Sequence, residues 1–233
     1  MKGSFEVTVK NRRIQYKFTI FRNITILRGD SATGKTTLID MIRSYQEEGE
    51  SSGVILSCKC ACRVLTSSNW KLELSAIEKS IVFIDEGNKF ISSKEFAETI
   101  KATTNYYVIA TRNNLFTLPY SVTEIYGIKN TSANRYQGTK RLYSTFYPLY
   151  SSTVHIKPEL IVVEDAKAGF AFFQAVAKKF SISCISAKGK SNIYTLIKAT
   201  EKDNILVIAD GAAFGSEIER LYALKQLKNL GIY

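Results

Sequence analysis

The chain has 233 residues, room for one ordinary domain and a smaller second one. A composition of 45% hydrophobic and 12% aromatic residues supplies a packed core, yet no window is long and apolar enough to span a membrane, and Met1-Lys2-Gly3-Ser4-Phe5 lacks the apolar run of a secretory leader. A cytoplasmic location is expected. The single histidine, His155, rules out mechanisms built on histidine pairs.

The net charge is +11, and residues 1–155 hold most of the excess, with 21 Lys and Arg against 13 Asp and Glu; the remainder carries 11 against 8. Such a balance suits a polyanion, DNA or RNA above all, or else a basic surface without a dedicated partner.

In chain order, Phe5, Val7 and Val9, then Ile14, Tyr16, Phe18 and Ile20 alternate on either side of Asn11-Arg12-Arg13, which predicts a β-hairpin. Ile24 to Leu27 reads as a buried strand. Thr36 to Tyr45 reads as a helix with Leu38, Ile39, Met41 and Ile42 on one face. Between them lies Gly29-Asp30-Ser31-Ala32-Thr33-Gly34-Lys35-Thr36, a complete G-x-x-x-x-G-K-[ST] phosphate-binding pattern, with Thr37 following. A strand, a glycine loop and a helix in that order aim backbone N–H groups and a helix N-terminus at one point. Lys35 is placed for the β- and γ-phosphates and Thr36 for Mg²⁺. ATP with Mg²⁺ is the expected ligand, because no Asn-Lys-x-Asp guanine-reading motif is present.

After a polar turn from Glu47 to Gly53, Val54 to Leu65 alternates like a strand, with Cys58, Cys60 and Cys62 on one face. C-x-C-x-C is not a usual zinc spacing, and packing is the favoured reading over a metal clip. Ile81 to Ile84 is a buried strand that ends in Asp85 and Glu86. Behind a phosphate loop, Asp85 suits an acid holding Mg²⁺ through its water shell, and Glu86 suits the base that activates water. A helix is expected over Ser92 to Thr103 and strands over Tyr106 to Thr111 and Ser121 to Lys129. Arg112, at the exit of the first of these strands, is a candidate γ-phosphate sensor. It is open to acting within its own subunit or a neighbour's, the latter implying a homo-oligomer.

Arg135, Lys140 and Arg141 are interleaved with Tyr136, Tyr143, Phe146, Tyr147 and Tyr150. Such a mixture can stack on a single nucleic-acid strand or pack as a hairpin on the domain, and packing is favoured. A linker is expected over Ser151 to Lys157. The pattern then restarts: strands at Leu160 to Val163, Ile182 to Ser186 and Ile205 to Ile208 alternate with helices at Ala166 to Phe180, Asn192 to Thr200 and Ser216 to Leu230. The expected architecture is α/β, with a three-layer domain over residues 1–150 and a βαβαβα unit over 158–233.

The hairpin before the glycine loop, Val82-Phe83-Ile84-Asp85-Glu86 and Val108-Ile109-Ala110-Thr111-Arg112 together resemble the core of ABC-type and related P-loop ATPases. In that class the last position commonly holds a switch histidine, which Arg112 replaces. No Leu-Ser-Gly-Gly-Gln signature lies between Lys35 and Asp85. Leu160 to Tyr233 is similar to the TOPRIM fold of topoisomerases, primases and the overcoming-lysogenization-defect nucleases, in which a Glu ends the first strand and an Asp-x-Asp pair ends a later one. Glu164 and Asp210 match two of those positions and imply a Mg²⁺ site, helped by Glu217, while Ala212 stands at the third. The order of the two units parallels those nucleases, and the whole chain resembles small ATP-binding proteins of phages and integrative elements. The resemblance implies a Mg²⁺-dependent ATPase that controls its C-terminal unit or a nucleic-acid partner. The alternatives it leaves are an ATP-regulated nuclease and a non-hydrolysing nucleotide sensor.

Overall fold

The computed structural model describes residues 3–30, 32–66, 69–131, 139–147, 157–225 and 227–232, with the backbone alone for 139–142. The chain forms two compact units, the first over Met1–Tyr120 and Glu124–Phe146, the second over Ser121–Thr123 and Tyr147–Tyr233.

The first unit contains a nine-stranded sheet. β1 (Phe5–Lys10) and β2 (Ile14–Ile20) form the expected hairpin, its turn held by the Asn11 side chain, whose Oδ1 accepts from the N–H groups of Arg13 and Ile14 at 2.8 and 3.0 Å. β3 (Ile24–Leu27) leads through the glycine loop into α1 (Lys35–Glu48). β4 (Ile55–Ser57), β5 (Cys62–Val64), α2 (Trp70–Ser75), β6 (Ile81–Ile84), α3 (Lys94–Lys101), β7 (Tyr106–Ala110), β8 (Ile125–Asn130) and β9 (Thr139–Thr145) follow. Across the sheet the order is β4-β1-β2-β9-β8-β3-β7-β6-β5, with β3, β7, β6 and β5 mutually parallel. Ser93 caps α3 as its composition predicts, accepting from Phe96 N at 3.1 Å.

The single strand expected over Val54 to Leu65 is instead two short ones at opposite ends of this sheet. The reason lies in the path of the chain. Five Cα steps from Ser57 to Cys62 reach at most ~19 Å, whereas eight strand spacings across a flat sheet would need ~38 Å. The sheet therefore curls until its two edges nearly meet, and residues 58–61 bridge the gap. α1 lies in the hollow, packed against β1, β4 and β5. Its Leu38, Ile39, Met41 and Ile42 join Val7, Tyr16, Phe18, Phe83 and Val108 in one core. On the other face of β7, Tyr107 meets Phe96 of α3, which in turn meets Trp70 of α2. Helices thus cover both faces of the parallel strands.

Tyr143 of β9 packs on Phe18 and Tyr126, at ring separations of 4.0 and 5.8 Å, in keeping with the packing reading of that segment. Arg135, Tyr136, Tyr150, His155 and the linker residues 151–156 lie outside the described residues, as do the side chains of Lys140 and Arg141.

The second unit has a parallel four-stranded sheet of β10 (Leu160–Val163), β11 (Ser183–Ser186), β12 (Asn204–Ile208) and β13 (Asn229–Ile232), in the order β11-β10-β12-β13. α4 (Ala168–Lys179) covers the face bearing Ile161 and Val163. α5 (Lys190–Ala199) packs on β10, and α6 (Gly215–Lys225) packs on α5 and β13. The last helix ends five residues earlier than expected, and Asn229–Ile232 pairs with β12 as a fourth strand. Likewise Val122–Glu124 is a 3₁₀ turn ahead of β8, and the strand begins only at Ile125. Both units are α/β. No helix among the described residues is long and apolar enough to cross a membrane.

Candidate functional site

β3 is buried along its whole length, and the chain leaves it through a tight loop before α1 begins. Among the described residues of that loop three have left-handed backbones: Gly29 at φ 142°, Ala32 at 62° and Gly34 at 102°. At two of the three the sequence supplies glycine, which tolerates the conformation without a Cβ penalty. Lys35 is buried, with 4% exposure. Its Nζ turns back into the loop and donates to the carbonyl oxygens of Gly29 and Asp30 at 2.6 and 2.9 Å and to Thr33 Oγ1 at 3.4 Å. From the other side, Tyr16 Oη of β2 donates to Gly34 O at 3.0 Å. No side chain caps α1, and no carboxylate sits in its first turn. The positive end of a 14-residue helix is thereby left facing the loop, a setting suited to an external anion. Asp30, Ala32, Thr33, Thr36 and Thr37 line this stretch of chain, and Ser31 lies outside the described residues.

The neighbouring strands deliver the other candidates. Leu27 is level with Ala110 of β7, and Ile109 with Ile84 of β6, so the three strands end side by side. Gly29, Arg112 and Glu86 all emerge at that edge, the usual place for ligands on a parallel sheet. Glu86 and Arg112 meet there as a two-pronged ion pair, Nη2 to Oε1 at 2.7 Å and Nε to Oε2 at 3.2 Å. The pair holds the Arg112 proton more firmly than usual, through its hydrogen bond and charge contact with Glu86 and, more weakly, the charge of Asp30. Asp85 accepts from the N–H of Glu86 at 2.8 Å, and its own carbonyl accepts from Asn88. A cleft of about 400 Å³ opens beside the pair, reaching Asn88, Ser92 and Asn113.

Arg28, immediately before the loop, is the residue that motif reading passes over. It is buried, with 4% exposure, and its guanidinium donates to Arg112 O and Asn114 Oδ1. A charged residue directly after the apolar run Ile24 to Leu27 is the only local signal of this role. What it does is hold the turn that carries Arg112.

In the second unit, β10 and β12 lie side by side where the strand order reverses, and Glu164 and Asp210 follow their carboxyl ends. Both line a cleft of about 630 Å³ with Asp165, Lys188 and Gly189. Each of the two acids already serves the backbone: Glu164 Oε2 accepts from Asp210 N and Asp210 Oδ1 from Ala212 N, both at 2.9 Å. Asp165 is a helix cap, accepting from Lys167, Ala166 and Gly169, and these bonds hold its carboxyl below the ordinary carboxylate range. Glu217 does not line the cleft; it is buried in α6 with Arg220 at 3.8 Å. Among the described residues no three His, Cys, Asp or Glu side chains are grouped so as to hold a metal ion.

No protein-family model matches the chain, and no curated protein matches it either, so the site's own geometry carries the functional reading.

Proposed function

We propose that the first unit is a Mg²⁺-dependent ATP-binding domain and ATP hydrolase. The observation that supports this most is the buried Lys35 ammonium folded into a left-handed glycine loop at the uncapped start of α1. The Lys35 ammonium and the positive end of α1 meet at one loop, a pairing that favours an anion there, and a phosphate would take the ammonium over from the loop carbonyls it now holds. In this reading the amides of residues 29–36 bind the β-phosphate, and Lys35 bridges the loop to the β- and γ-phosphates. Thr36 and Asp85 would hold Mg²⁺, which screens the charge that develops between those phosphates.

Glu86 is the base. Water attacks the γ-phosphorus, the bond from that phosphorus to the bridging oxygen breaks, and the water's proton passes to the Glu86 carboxylate as ADP departs. In the free protein Arg112 occupies both oxygens of that carboxylate. A γ-phosphate that draws the guanidinium away would free the base, so hydrolysis is triggered by the ligand it consumes. The test is a Mg²⁺-dependent ATP titration on wild type and Lys35→Ala, followed by turnover of Glu86→Gln. Lys35→Ala is expected to weaken ATP binding by at least about tenfold, or about 1.4 kcal/mol. Glu86→Gln is expected to bind ATP and to lose about 10²-fold or more in turnover, the usual worth of a general base. Unchanged turnover in Glu86→Gln would remove Glu86 as the base, whereas ATP binding without turnover in wild type would leave a non-hydrolysing nucleotide sensor.

The cleft holding Glu164 and Asp210 supports a second reading, an ATP-regulated nuclease, because two acids there follow adjacent parallel strands. Nicking of plasmid with Mg²⁺ or Mn²⁺, lost in Asp210→Ala, would establish it.

A further inference from the structure

Cys58 and Cys60 of the bridge between the sheet edges, with Cys62 at the start of β5, have no part in the nucleotide reading, and their geometry is specific. In a straight strand, residues two apart lie ~6.7 Å from one another. The chain bends at Lys59 and Cys60, and this brings Cys58 Sγ to 3.6 Å from Cys60 Sγ. Both are half-buried and reachable from solvent, whereas Cys62 is buried beneath them in the core around α1. The Cys58 and Cys60 sulfurs share a hydrogen bond, and the Cys62 thiol with the Cys60 and Lys59 backbone favours the thiolate form of Cys58.

We propose that Cys58 and Cys60 form a hydroperoxide-reactive dithiol, with Cys58 as the attacking thiolate and Cys60 as the residue that closes the disulfide. In the first step the Cys58 thiolate attacks one peroxide oxygen, the O–O bond breaks, and hydroxide leaves, giving a sulfenic acid on Cys58. In the second, the Cys60 sulfur attacks that of Cys58. The S–O bond breaks and hydroxide departs with the Cys60 proton as water, so two thiols lose two electrons and the peroxide gains them. The division of labour follows from the hydrogen bonds. Those from Cys62 and its neighbours pull the Cys58 thiol down to about 6 against the opposing effect of burial. Burial and the adjoining Cys58 push Cys60 up to about 12, and the bond to Cys58 drives Cys62 up as well. Cys184, raised by burial alone, lies outside the cluster and serves as the internal reference.

The test uses the full chain, reduced and then treated with an equivalent of hydrogen peroxide, with free thiols blocked by alkylation. Trypsin cuts after Lys59, so a Cys58–Cys60 bond leaves the peptide ending at Lys59 joined to residues 60–63. Wild type is expected to fall from four titratable thiols to two and to yield that linked pair. Cys60→Ser is expected to stop at a sulfenic acid on Cys58 that dimedone traps, and Cys62→Ser to keep the link. At pH 6.5 Cys58 is expected to alkylate at least about tenfold faster than Cys184. Oxidation of Cys184 at an equal rate, absence of the linked peptides, or a stoichiometric zinc ion shielding the thiols as purified would each overturn the proposal.

Discussion

Glu86 and Arg112 hold each other across the ends of β6 and β7, and what either does depends on that grip. The pair is largely open to water, so its loss should change stability little. Its loss should change chemistry much more if Arg112 leaves Glu86 for a γ-phosphate. Arg112→Ala is therefore expected to leave the melting temperature and Mg²⁺-ATP affinity close to wild type while lowering turnover by about 10²-fold or more, below the range of known arginine fingers at its lower end. Arg112→Lys should rescue little, since an ammonium cannot make the two-pronged contact. Turnover equal to wild type in Arg112→Ala would remove this residue from the reaction. Lys35, Asp85, Glu86 and Arg112 could be singled out as candidates from the sequence, because each is marked by a neighbouring glycine pattern or an apolar strand. Their mutual arrangement was not. The Glu86–Arg112 pair spans 26 residues, and the bond from Tyr16 to Gly34 spans 18. Only strand register brings such partners together, and the burial of Arg28 follows from the same packing.

At the scale of the element, the start of α4 shows how one carboxylate organises a turn. Asp165 accepts from three backbone N–H groups there, and a Cβ at Gly169 would come within 2.6 Å of its Oδ2. Gly→Ala at a helical position free of close contacts usually stabilises, by up to about 1 kcal/mol in a helix interior and by less in a first turn such as this one. Here Gly169→Ala must displace the cap, and it is expected to lower the melting temperature, whereas the same change in an Asp165→Ala background should raise it. A rise in both backgrounds would show that the cap bears no load. The Asp165 carboxyl is depressed in the folded state, so its contribution is present above the unfolded value of about 3.9 and is lost as pH falls through the lower folded value. The melting gap between wild type and Asp165→Ala should accordingly narrow below about pH 4. A helix with clean periodicity such as α1, and an unbroken apolar run such as β6, were readable from sequence. The Val54 to Leu65 segment was not, because Val54, Leu56, Cys58, Cys60, Cys62 and Val64 keep a strand's alternation through a bend that no glycine or proline announces. The helix expected over Ser216 to Leu230 runs two residues into β13; pairing of Asn229–Ile232 with β12 decides otherwise.

For the molecule as a whole the governing quantity is its charge of +11, concentrated in residues 1–155. A surface with that excess attracts phosphates at a distance of about 10 Å in 0.1 M salt. Each phosphate it neutralises releases condensed counterions. Single-stranded DNA labelled for fluorescence anisotropy is therefore expected to bind at low salt and to weaken steeply as salt rises. The slope of log affinity against log salt divided by ~0.7 counts the phosphates engaged. If the basic surface and the glycine loop are separate sites, Lys35→Ala should shift this line by no more than one phosphate's worth while weakening ATP binding at least about tenfold. If the strand instead occupies the loop, Mg²⁺-ATP should displace it and Lys35→Ala should flatten the slope. Failure to bind at 20 mM salt, or an affinity indifferent to salt, would reduce the charge to a solubility device.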